Sequence, residues 1–148
     1  FETICSTHIM QDMWNKWVLL ASLGSICCLM RGTVGEIASQ PYGAEFTRAV
    51  IDECASTAAA EGYSPDTQTI DRVIKLLGRE NSLLTSSMFR DLSQGAPVEA
   101  QQIIGDLVTR ARKHGLSTPL LDLTNLNLGV YEQQRSQGTV ISPETGKR

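Results

Sequence analysis

Lys16 is the one ammonium in the otherwise apolar run Met13-Trp14-Asn15-Lys16-Trp17-Val18-Leu19-Leu20. At helical spacing its neighbours three and four positions away are Asp12, Met13, Leu19 and Leu20. A lysine pressed against apolar surface loses hydration, which lowers its pKa and makes it a better proton donor near neutral pH. A lysine whose stem packs while its head reaches water gives the same pattern, and that arrangement is the commoner one. Further along stand Ser86, Ser87, Asp91 and Glu99. Serines near a helix start and a carboxylate in the first turn after Pro97 have ordinary structural explanations. Taken singly, none of these residues fixes a function.

Other chemistries find little footing. No Gly-x-Gly-x-x-Gly or phosphate-loop pattern occurs, so the chain carries no nucleotide fingerprint of its own. His8 and His114 have no nucleophile at a telling spacing. The four cysteines are too few to staple 148 residues, and no Cys-x-x-Cys or Cys/His ligand spacing points to a metal. Buried, reduced thiols are the expectation, in keeping with a cytoplasmic protein. A net charge of −3 and dispersed basic residues argue against nucleic acid or an anionic membrane as partner. The densest basic group, Arg110, Arg112, Lys113 and His114, reads as a solvated helix end. The uncharged run Trp17 to Met30 is short of the roughly 20 residues that cross a bilayer, so it reads as a buried core helix.

Elements able to hold these residues are helical throughout. The spacing predicts helices over 9–30, with Ser6 or Thr7 as cap, and over 44–61, closed by Gly62. A third starts at Ser64-Pro65-Asp66 and stops at Gly78, and a shorter one covers 85–94. The next starts at Ala96-Pro97 and runs to His114, and the last opens at Thr118-Pro119 and fades near Gln134. Residues 135–148 read as a polar, mobile tail. The chain therefore reads as all-α, one helical domain over 1–134 with about six to seven helices. Its first residue is Phe1 rather than methionine, which suggests a piece of something longer.

The order of five segments resembles the ketopantoate reductase (2-dehydropantoate 2-reductase) family, in its helical C-terminal domain. Trp14-Asn15-Lys16 is similar to the family's lysine motif, and Val34-Gly35-Glu36-Ile37 to its Gly-Glu turn. Ser86-Ser87-Met88-Phe89-Arg90-Asp91-Leu92 resembles the Ser-Ser-Met-x-x-Asp segment. Gly95-Ala96-Pro97-Val98-Glu99 follows the Gly-x-x-x-Glu pattern, and Arg112-Lys113-His114-Gly115 through Pro119 the Arg-x-His-Gly stretch. The resemblance implies a fold like the 6-phosphogluconate dehydrogenase C-terminal domain. It also implies a separate N-terminal Rossmann domain, absent from this chain, that binds NADPH.

On that resemblance, the whole protein reduces a 2-keto acid, ketopantoate or a related carbonyl compound, and the isolated domain is inactive. Lys16 matches the family's proton donor, Ser87 a serine that binds the substrate carboxylate, and Glu99 a glutamate that holds the substrate hydroxyl. Asp91 matches a recurring acid with a supporting role. Leu20, Gly24, Val34 and Leu84 stand where the pantothenate-pathway enzymes carry asparagines, which points to a different preferred substrate. Two rivals remain: a family member that binds without turnover, and a helical dimerisation module. A face covered by the other domain would be apolar, so the chain alone is expected to self-associate.

Overall fold

The structure, a computed structural model, describes residues 2–138, with side chains from residue 8 onward. Among the described residues there are seven α-helices, one π-helical segment and no strand. Helix α1 (Glu2–Met30) runs through the middle. Around it pack α2 (Val34–Ala38), α3 (Gly43–Ala60), α4 (Thr67–Leu77), α5 (Ser87–Ser93), the π-turn Gln101–Gly105 and α7 (Pro119–Ser136). Helix α6 (Asp106–Lys113) continues the π-turn and lies against α3 and α7.

The central place of α1 explains its composition. A helix touched on most sides must be apolar on most sides, and Val18, Ala21, Leu23, Ile26, Cys27 and Cys28 are all buried. By length and composition the stretch His8–Met30 could cross a membrane, so the sequence argument from shortness does not hold. More than half of that window is buried inside the molecule, however, against the protein's own helices. Cys27, Cys28 and Cys54 are free and buried. Burial pushes the Cys28 and Cys54 thiols up to about 12 and raises Cys27 as well.

Several helix ends differ from the sequence-based expectation, each for a local reason. Helix α1 begins at Glu2, so Ser6 and Thr7 lie inside it rather than capping it. Helix α4 is capped by Asp66, whose carboxylate accepts from Thr69 N at 2.7 Å, and Pro65 stays outside. Those Thr69 hydrogen bonds hold the Asp66 carboxyl below its ordinary value. Ser86, not Thr85, starts α5, its hydroxyl accepting from Phe89 N at 3.0 Å.

The helix expected from Ala96 starts later, because bonds to α7 hold residues 96–98 out of helical conformation. The Tyr131 hydroxyl donates to Ala96 O at 2.6 Å, and Val98 N donates to the Glu132 carboxylate at 3.0 Å. Helix α7 reaches Ser136, slightly past the expected end, and the rest of the expected tail, from 139, lies outside the described residues.

The caps reach across the fold. Helix α7 has no side-chain cap of its own at Thr118. Instead the Glu53 carboxylate of α3 accepts from Leu120 N and Leu121 N at 3.0 and 2.9 Å. Two otherwise orphaned donors are thereby satisfied from a residue 67 positions earlier.

Gly35 does similar work at the other end of the molecule. Val34 N and Gly35 N donate to Leu84 O and Ser82 O, each at 2.9 Å. A Cβ on Gly35 would press on the Glu80 and Ser82 carbonyl oxygens, so only glycine permits the approach. This docking fixes the irregular segment that leads into Ser86 and α5.

Candidate functional site

The four candidate residues lie on three elements, and the residues next to Lys16, Ser87 and Glu99 meet along one flank of α1. Trp17 and Gly24 are two turns apart and return to the same side of the helix within roughly 20°. The Trp17 indole Nε1 donates to Ile103 O in the π-turn at 2.8 Å. Two turns on, Gly24 faces Met88 of α5, whose methyl end occupies the space a Cβ at 24 would take. The π-turn and the start of α5 therefore sit side by side along α1. Ser87 precedes Met88, Glu99 stands just before the π-turn, and Lys16 precedes Trp17. Lys16 and Leu20, one turn apart, border this flank on its exposed side.

Exposure distinguishes the residues that build the site from those free to act. Ser86 is buried and spends its hydroxyl on the cap of α5, whereas Ser87 is exposed. Glu99 is exposed at the end of a segment pinned to α7 at residues 96 and 98. Asp91 is half-buried, and its carbonyl accepts from Gln94 N and Ala96 N to close α5. Its carboxylate, together with burial and Glu132, helps raise the pKa of the Tyr131 phenol. Among the described residues no hydrogen bond or ion pair reaches the side chains of Lys16, Ser87 or Glu99.

Lys16 is exposed rather than pressed against apolar surface, so in this chain alone the ammonium keeps its water. On one side it is flanked by apolar side chains, Ile9, Met13 and Leu20, which are 58%, 60% and 40% exposed, while Asp12, also exposed, stands one turn before it. Of the other apolar positions singled out in the sequence, Val34 is buried and Leu84 half-buried, and their backbones bond each other. Their side chains belong to packing, while Leu20 and Gly24 lie on the flank itself.

Beside Lys16 stands a cluster that single-residue reasoning missed. Trp14 and Trp17 lie 4.6 Å apart between ring centroids, and Tyr63 stacks on Trp14 at 6.1 Å. The Arg110 guanidinium sits 5.6 Å from the centroid of each indole and 3.2 Å from the Glu61 carboxylate. His114 Nε2 approaches the other Glu61 oxygen at 3.4 Å, and Arg112 pairs with Asp122 at 3.3 Å. The basic end of α6 is thus largely paired, not simply solvated. The available signal was two tryptophans at helical i, i+3 spacing and an arginine beside the buried face of α6.

A cavity of about 480 Å³ opens at the other end of α1, lined by Met30, Glu36, Ile37, Tyr42 and Phe46 among others. It lies fourteen residues, roughly 21 Å along the helix, from Lys16. None of the four candidates lines it. Beyond the glycines that end α1, no sequence signal points to it. Among the described residues no three His, Cys, Asp or Glu side chains gather as a metal set. Among the described residues no strand is present to lead into a glycine-rich dinucleotide-binding turn.

Comparison with known proteins gives these positions a setting. Residues 8–128 match the family described as "Ketopantoate reductase PanE/ApbA C terminal". The chain is 27% identical over 134 residues to a Bacillus subtilis protein named as an uncharacterized oxidoreductase, YkpB, covering 90% of this chain and 44% of that one. It is 32% identical over 119 residues to the 2-dehydropantoate 2-reductase of Archaeoglobus fulgidus, covering 80% of this chain and 40% of the relative. Among solved structures, a dimeric ketopantoate reductase from Staphylococcus aureus superposes with a TM-score of 0.77 at 30% identity, over 86% of this chain and 44% of that one. The fold is also shared with a D-mandelate dehydrogenase, at a TM-score of 0.71 and 18% identity, over 86% of this chain and 42% of that one. The chain spans less than half the length of these relatives.

Proposed function

This chain belongs to the ketopantoate reductase family, as its helical C-terminal domain, and from that premise we propose that it is the substrate-closing half of a nicotinamide-dependent 2-keto acid reductase. The observation that carries the reading is the arrangement along one flank of α1. There the Trp17–Ile103 hydrogen bond and the Gly24–Met88 contact set Lys16, Ser87 and Glu99 around one stretch of helix.

The reaction takes its hydride from a reduced nicotinamide dinucleotide, NADPH in this reading, held by a Rossmann domain outside this chain. As the carbonyl carbon is reduced, negative charge develops on its oxygen. The Lys16 ammonium stabilises that charge and then gives it a proton. Covering the strip beside Lys16 would remove its water and strengthen both effects. Ser87, with its hydroxyl unspent, donates to the substrate carboxylate. Glu99 holds the substrate hydroxyl from a segment fixed at both ends, and Asp91 supports that segment by closing α5.

The apolar side chains of Met13 and Leu20 beside Lys16, and the Met88-filled space at Gly24, favour a 2-keto acid whose substituent is largely apolar, with its hydroxyl directed to Glu99. Free, buried thiols suit a cytoplasmic setting, and the exposed apolar strips suit a homodimer.

The test uses the full-length protein, with cofactor oxidation followed across a panel of 2-keto acids. Lys16→Ala is expected to lower turnover by about a hundred- to ten-thousand-fold. Wild-type turnover in that variant would remove Lys16 from the mechanism. A second reading, binding without turnover, is favoured by the absence of amides at positions 20 and 24. It would be supported by keto acid binding to the full-length protein with no cofactor oxidation anywhere in the panel.

A further inference from the structure

We propose that Trp17 is a positioning residue, which sets the lysine-bearing turn of α1 against the segment that carries Glu99, and that Arg110, anchored by Glu61, holds Trp17 in that role. The inference rests on the proton-donating role proposed for Lys16 and adds the device that would aim it.

Lys16 has a long, exposed side chain with no partner among the described residues, so the rotation and height of its own helix turn decide where its ammonium reaches. The next residue controls that turn. Trp17 donates its indole N–H to Ile103 O at 2.8 Å, and Ile103 is the middle residue of the π-turn. Short π-helical insertions widen the helix locally and recur at functional sites. Here the insertion begins two residues after Glu99 and is tied directly to the residue after Lys16. From the other side, Glu99 is fixed by the α7 bonds at Ala96 and Val98. One hydrogen bond therefore joins the two pieces of backbone that carry the proposed acid and the proposed hydroxyl-binding carboxylate.

The indole is itself held. Arg110 covers both the Trp14 and Trp17 rings at 5.6 Å, a distance at which the ring quadrupole attracts a cation. Its guanidinium is fixed by Glu61 at 3.2 Å, at the end of α3, and that carboxylate is only 14% exposed. His114 approaches the second oxygen of Glu61 at 3.4 Å. α1, the end of α3, the π-turn and α6 thus meet at one stack. A plain core contact would not need an indole donor, a half-exposed arginine and a nearly buried carboxylate in series.

The experiment uses the full-length protein with a turned-over 2-keto acid and saturating reduced nicotinamide cofactor. Trp17→Phe keeps the ring and deletes the donor. It is expected to lower kcat about tenfold or more while KM changes by less than about threefold, because misplacing a catalytic group weakens the chemical step more than binding. In the Lys16→Ala background the same change should alter the residual kcat by less than about twofold, since the residue it aims is gone. An equal fold-loss in both backgrounds, or an unchanged kcat in Trp17→Phe alone, would overturn the proposal. Should Trp17→Phe fail to fold, Arg110→Lys is read the same way, keeping the charge and losing the planar stack. If Lys16→Ala itself turns over at the wild-type rate, the proton-donor reading falls and the positioning role falls with it. A slow Lys16→Ala without coupling to Trp17 rejects the positioning role alone.

Discussion

Position 24 carries no side chain, and the methyl end of Met88 fills the space a Cβ would take. Met88 is 3% exposed, so it has little room to retreat. Gly24→Asn is therefore expected to cost about 1–3 kcal/mol of stability in thermal or urea unfolding, and adding Met88→Ala should recover part of that loss. Leu20 differs, since it borders Lys16 and is 40% exposed. Leu20→Asn should leave stability within about 0.5 kcal/mol. In the full-length protein it should shift kcat/KM toward hydroxylated 2-keto acids by about tenfold or more, read as a ratio between two substrates. An unchanged ratio would take Leu20 out of the substrate pocket. The sequence made these positions visible as departures from a family pattern, but it could not separate them. Val34 and Leu84 share the same apolar character, yet their partnership is a backbone hydrogen bond between residues fifty positions apart, which side-chain type does not encode.

Helix-scale behaviour turns on Glu53. Its carboxylate caps α7 from α3, so Glu53→Ala should destabilise the chain by about 1–3 kcal/mol by leaving two backbone donors unpaired. Burial raises the Glu53 carboxyl above its ordinary value, while the Leu120 and Leu121 N–H groups pull the other way and nearby Asp122 adds to the rise. The folded chain thus keeps this proton to higher pH than the unfolded chain does. The associated stability is present in full below the ordinary carboxylate range and is lost as pH rises through the folded value. The stability advantage of the native chain over Glu53→Gln should accordingly be larger near about pH 4 than near about pH 7. Most helices were legible because proline, glycine and hydrophobic period mark them locally. The misplaced starts at Ala96 and Ser64 fail for different reasons. Asp66 simply outcompetes Ser64 as a cap, whereas the 96–98 segment is held out of the helix by Tyr131 at Ala96 and Glu132 at Val98, more than thirty residues away.

At the scale of the whole molecule, two apolar strips face solvent among the described residues. One is Ile9, Met13 and Leu20 on α1, and the other is Leu123, Leu126 and Val130 on α7, the last three 52%, 63% and 46% exposed. The chain on its own is expected to self-associate, with sedimentation mass rising with concentration and Leu126→Lys reducing that rise. A monomer mass independent of concentration would refute this. The helical class could be read from the sequence, because it rests on periodicity, whereas a joint role for Lys16, Ser87 and Glu99 was implied only by the family resemblance. The indole–guanidinium stack could not be read there, because Trp17, Glu61 and Arg110 meet only through tertiary packing. The three cysteines sealed in the core carry a last consequence. Alkylating reagents attack thiolates, and with Cys28 and Cys54 raised to about 12 almost no thiolate exists at those two positions in the folded chain at neutral pH. Labelling of these thiols must wait for the helices around α1 to part. The protein therefore carries its own chemical clock, in which the rate of thiol modification reports how often its centre comes open.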